Sequence, residues 1–89
     1  MNKYLVEFLG TLLITFVIFA TGNYLAIGGA VALAVLLGGS ISGGAYNPVV
    51  AICLLNAGKI SSNDLLPYII AEILGGLAGY EIVKMFIKK

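Results

Sequence analysis

No Asp, Glu, Lys or Arg occurs between Glu7 and Lys59, and the middle of that uncharged run is broken by Ser42-Gly43-Gly44-Ala45-Tyr46-Asn47-Pro48. These two facts together constrain the fold more than any other feature. A long uncharged apolar run belongs in a bilayer. A Gly-rich segment at membrane depth is tolerated only where protein buries it or where it lines a wet cavity. Asn-Pro opens a helix: Asn47 can cap the first free N–H groups, and Pro48 lacks the N–H that would go unpaired at the first helical position. The apolar segment from Val49 to Asn56 spans only about two turns, far short of the ~30 Å hydrocarbon core. Such a segment suits a re-entrant half-helix with its positive end aimed at a watery space.

Composition agrees. Hydrophobic residues make up 61% and charged residues 10% of 89 positions, the balance of a membrane protein and room for one small unit. A net charge of +1 with no His gives no footprint for nucleic acid. The single Cys excludes an internal disulfide, and Cys53 reads as a small apolar packing residue. Lys3 with an apolar run after it imitates a secretory signal, but Glu7 lies inside that run and two more apolar segments come later. It reads as a retained helix.

Taken in order, the chain predicts an all-α membrane protein: a single unit over residues 1–89 of three transmembrane helices and one re-entrant half-helix. The helices are expected at about 4–20, 25–41 and 65–86, with the half-helix at 48–56. Tyr4 and Tyr24 suit the interface. Glu7, Thr11 and Thr15 share one helical face, and such a polar stripe should point into protein. Glu7 either snorkels to the surface or receives donors from the irregular loop. Ala30, Ala34 and Gly38 form one small-residue face, and Ala71, Gly75 and Gly79 another, with Glu72 and Gly76 alongside; both suit close helix packing. Ser62, Asn63 or Asp64 is expected to cap the last helix, with Pro67 in its first turn. Lys3 and Lys59 fall on one side of the membrane and Lys84, Lys88 and Lys89 on the other, a split that barely decides orientation.

The residues also resemble a known family. Glu7-Phe8-Leu9-Gly10-Thr11 resembles the AEFxGT opening of the aquaporin, or major intrinsic protein, family, and Ile41-Ser42-Gly43-Gly44-Ala45-Tyr46-Asn47-Pro48 is similar to its SGGxxNPA loop. Gly58-Lys59-Ile60-Ser61 and Pro67-Tyr68-Ile69-Ile70-Ala71-Glu72 resemble the next segment of its amino-terminal half. The resemblance implies half of a fold in which two inverted halves give six spanning helices and two half-helices, assembled as tetramers. It also marks departures. Val49 stands in place of the Ala of Asn-Pro-Ala, Ala45 where a His is common, and Glu72 where Gln is usual. The filter positions fall on Ile27, Val35, Gly44 and Val50, the last in place of an Arg, leaving a mostly apolar ring.

The implied function is a passive channel for water or small neutral solutes, formed by antiparallel pairing of half-units, four such pairs giving an octamer. In that channel Asn47, Pro48, Val49 and Val50 meet the pathway. The carbonyls of Gly43, Gly44, Ala45 and Tyr46 form a ladder of acceptors, and Glu7 and Glu72 are structural. Two alternatives stand beside it: a subunit that needs a different complementary half, and a small scaffold or hole-forming protein without a selective pore. No cofactor, metal or catalytic residue is expected, since no nucleophile–base pair is visible. The location expected is multi-pass, in a plasma or inner membrane.

Overall fold

Two asparagines open the first two helices. In the computed structural model, which describes residues 1–87, the Asn2 Oδ1 accepts the Tyr4 N–H at 2.7 Å and the Leu5 N–H at 3.2 Å, starting α1 (Lys3–Thr21). Asn23 does the same for Leu25 and Ala26, both at 3.0 Å, at the head of α2 (Tyr24–Ser42). Each helix stops at a glycine in the left-handed region, Gly22 at φ 59° and Gly43 at φ 89°, a conformation that costs glycine little. Both helices are 19 residues long, or about 28 Å, a membrane thickness.

The half-helix α3 covers Pro48–Asn56, 9 residues and about 13 Å. It cannot cross a bilayer. The last helix, α4 (Ser62–Phe86), is 25 residues long and apolar enough to span. It starts before the expected residue 65 because Ser61, not one of the three residues after it, is the cap. The Ser61 N–H donates to the Asp64 carboxylate at 3.4 Å and the Asp64 N–H to the Ser61 carbonyl at 3.0 Å, which closes the first turn early. Pro67 is therefore the sixth helical residue rather than part of the first turn, and it removes the N–H that would reach the Asn63 carbonyl.

α1 is the centre of the unit, with α4 and α2 packed on it and α3 packed on α4. α1 and α4 run parallel at backbone contact. A Cβ on Gly75 would sit 2.3 Å from the Phe8 carbonyl oxygen, and one on Gly79 2.6 Å from that of Leu12. Glycine there removes the side chain that would hold the helices apart. At their shared starting end Lys3 pairs with Asp64 at 2.9 Å and the Tyr4 hydroxyl donates to Asp64 at 2.7 Å. α2 runs antiparallel, burying Ala30, Ala34 and Gly38 against α1. Much of α2 and α3 stays uncovered within the chain, including Leu36 (77% exposed) and Val49 (66%). Cys53 shares that open surface. It is not packed inside the unit as expected, because α3 touches only one helix.

Candidate functional site: the Asn-Pro half-helix and its clamp

A polar group at membrane depth must find a partner inside the protein or face a wet cavity, and the N–H groups of residues 43–46 all find one. Glu7 is fully buried at 0% exposure, so it does not snorkel. Its Oε2 accepts the Ser42 hydroxyl at 2.6 Å and the Ala45 N–H at 3.2 Å, while Oε1 accepts the Tyr46 N–H at 2.7 Å. The Ser42 Oγ in turn accepts the Gly44 N–H at 3.1 Å, and the Ser42 carbonyl accepts the Tyr68 hydroxyl at 2.6 Å. The Tyr46 carbonyl accepts a long bond of 3.4 Å from Thr11.

That last contact sets the depth of the loop. Thr11 is the ninth of the 19 residues of α1, about 12 Å from its start. The junction between loop and half-helix therefore lies near the middle of the span. There the Asn47 Oδ1 accepts the Val49 N–H at 2.8 Å, so the side chain has its NH₂ group left to offer. The amino end of α3 adds its partial positive charge at the same point. Asn47 and Val49 are exposed and Pro48 half-buried, so this polar tip stands at mid-depth on an uncovered face of the unit.

Tyr46 holds the loop from its other side. Its φ of 55° is unusual for a residue with a side chain, and three contacts hold it. Its N–H is bound by Glu7, its hydroxyl donates to the Ala34 carbonyl at 2.6 Å, and its ring fills the space left by two glycines. A Cβ on Gly10 would meet the ring at 2.1 Å, and one on Gly38 would meet the hydroxyl oxygen at 2.1 Å. Tyr46 is thus a wedge seated between α1 and α2.

The remaining positions divide clearly. The side chains of Ala45 and Tyr46 are buried in packing, so their carbonyls are what they have to present, and that of Tyr46 already accepts from Thr11. Gly44 lies against Val35: a Cβ there would be 3.6 Å from a Val35 methyl. Val35 and Val50 are 46% and 40% exposed, and Ile27 is half-buried two turns before Val35 on α2. Gly43 ends α2 with its N–H on the Gly39 carbonyl at 2.9 Å. Glu72, at 2% exposure, is buried beside α1. Sequence reasoning passes over Ser42 and Tyr68 as partners of the loop. Tyr68 lies one turn before Glu72 on the same face of α4, a spacing that links it to the Glu7 side of the unit.

Three apolar spans, with a capped half-helix that enters the bilayer and turns back near its middle, define half of an all-α, aquaporin-like membrane channel fold. The protein is a multi-pass integral membrane protein. Comparison with known proteins gives the family: the major intrinsic protein model matches residues 1–89, and the chain belongs to that family. It is 42% identical over 96 aligned residues to glycerol uptake facilitator protein-like 6 of Lactiplantibacillus plantarum, the match covering 98% of this chain and 44% of the relative. It is 34% identical to aquaporin Z of Photorhabdus laumondii (86% and 40% covered) and 44% identical over 45 residues to aquaporin Z of Brucella melitensis (51% and 20%). The chain spans less than half the length of these curated relatives. No solved structure matches it.

Proposed function

We infer that two copies of this unit pair in opposite orientations to form a passive transmembrane path for water and small neutral solutes. The observation that carries the reading is the position of Asn47: an exposed amide at the positive end of a half-helix, held near mid-membrane by a buried carboxylate. Two such ends meeting from opposite sides donate hydrogen bonds to a passing oxygen and repel cations, protons among them. Opposed repeats around a midplane site are a known way to build a membrane pathway. The uncovered apolar faces of α2 and α3 support it, since they are the surfaces a second unit would close. Relatives named as aquaporins and as a glycerol uptake facilitator support water and small uncharged solutes as the class conducted.

In this reading Asn47, Pro48, Val49 and Val50 line the path at its centre. The carbonyls of Gly43, Gly44, Ala45 and Tyr46 offer acceptors, and Ile27, Val35, Gly44 and Val50 form the narrow ring. That ring is mostly apolar and carries no cation. Four pairs would make an octamer of chains, a step that rests on the family's tetramers. The test is the osmotic permeability of liposomes containing this chain alone. Fast water flux with no proton leak is expected. No flux would mean that a different complementary half is required, and a leak of ions would mean an unselective hole.

A further inference from the structure

Glu72 is the buried polar group that the loop clamp leaves unexplained. It is 2% exposed, and neither carboxyl oxygen has a hydrogen-bond partner among the described residues. It lines a crevice of about 390 Å³ between α1 and α4 with Thr15, Gly76 and Tyr80, and the packing of Gly75 on the Phe8 carbonyl sets it beside Glu7.

Among the described residues no donor reaches it. Glu7 accepts three donors, on both of its oxygens, and so is held as the carboxylate. The hydroxyls around Glu7 are committed, Ser42 to Glu7, Tyr68 to the Ser42 carbonyl, Tyr46 to the Ala34 carbonyl and Thr11 to the Tyr46 carbonyl, and that of Thr15 in the crevice makes no bond to Glu72. The titratable groups facing the pair are Tyr46 from the loop and Tyr68 and Tyr80 from α4, none of them a cation. Lys3 is bound to Asp64, two turns closer to the start of α4. Two carboxylates side by side, buried at membrane depth with no donor between them, would repel without compensation. A proton between them removes both problems at once.

We propose that the carboxyls of Glu7 and Glu72 share one proton, with Glu72 as the donor. Glu72 is then a positioning residue: it braces Glu7, and Glu7 holds Ser42, Ala45 and Tyr46. The neutral carboxylic acid supplies a single donor, aimed at an acceptor that already serves the loop.

The experiment labels all glutamate carboxyl carbons of the full chain with carbon-13 and records solid-state NMR spectra in lipid bilayers at neutral pH. The chain has Glu7, Glu72 and Glu81. One protonated carboxyl carbon of the three is expected, showing through-space transfer to a second labelled carboxyl. Glu72→Gln should lose that signal and Glu81→Gln should keep it. The wild-type transfer decides the matter even if Glu72→Gln does not fold. Three ionised carboxyls, or a protonated signal that survives Glu72→Gln, would overturn the proposal. The readout needs no conduction and no paired copy, so its outcome is independent of the channel reading.

Discussion

The carboxylate of Glu7 accepts the backbone N–H of Tyr46 at 2.7 Å across 39 residues of sequence. This single contact joins the first turns of the first helix to the residue before Asn47, and it explains how an irregular segment can rest at membrane depth. The loop is not simply lodged between helices. The N–H groups of Gly44, Ala45 and Tyr46 are matched to a serine hydroxyl and a carboxylate, and the loop's strained tyrosine is gripped at three points.

The clamp predicts an asymmetry between two substitutions. Glu7→Gln keeps the shape and one acceptor oxygen but sets an NH₂ against a donor, at a cost of about 1–3 kcal/mol. Glu7→Leu leaves two backbone N–H groups unpaired in a dry interior, and the Ser42 hydroxyl with only its long 3.4 Å bond to the Gly38 carbonyl, and should cost several times more. Thermal unfolding of the detergent-purified protein should rank wild type above Gln and Gln well above Leu. Equal loss in the two variants would show that the carboxylate's bonds do not hold the loop.

The Tyr46 wedge predicts a coupled pair. Gly10→Ala places a methyl inside the tyrosine ring's volume and should destabilise the unit by about 1–3 kcal/mol or more. Replacing the ring by a smaller side chain, as in Tyr46→Val, should relieve much of that clash. The double variant is then expected to be clearly less impaired than the sum of its singles. Simple additivity in the same unfolding assay would place the ring elsewhere.

Much of this is legible in the residues alone. The uncharged run from Glu7 to Lys59, the Asn47-Pro48 opening and the small-residue faces at Ala34–Gly38 and Gly75–Gly79 are local patterns, and each reports its own burial or helix start. What stays hidden depends on three-dimensional meeting points. Tyr46 reads as an ordinary loop residue until Gly10 and Gly38, 28 positions apart in sequence, are brought face to face around its ring. The start of α4 is ambiguous in sequence because three polar residues in a row all suit a cap. Asp64, held by Lys3 and Tyr4 from α1, selects Ser61. Cys53 reads as core because its neighbours are apolar, and composition alone does not distinguish a core from a face awaiting a second unit.

The apolar ring proposed for the paired arrangement predicts selectivity by size and neutrality, looser than for water alone. At the narrow point of that arrangement Val35, Gly44 and Val50 would offer an entering solute few hydrogen bonds and no cation. Stopped-flow light scattering on proteoliposomes should register entry of glycerol or urea as well as water. Rejection of every solute larger than water would contradict an apolar ring at the narrowest point.

Asn47→Asp should abolish most conduction or prevent assembly. In the paired arrangement it sets two carboxylates near one another at mid-membrane, where like charges are costly. Normal expression together with normal water flux in this variant would remove Asn47 from the centre of the path.

The central claim is that opposed copies of one chain make the pathway, and the sidedness of the far end of α4 tests it most directly. With three spans the two ends of the chain lie on opposite sides, Lys3 and Lys59 beside one surface and Lys84 near the other; Lys88 and Lys89 lie outside the described residues. A tag placed after Lys89, probed from each side of intact cells whose purified chain conducts water in liposomes, should be reached from both. Finding every tag on one side while the purified chain still conducts would contradict antiparallel pairing.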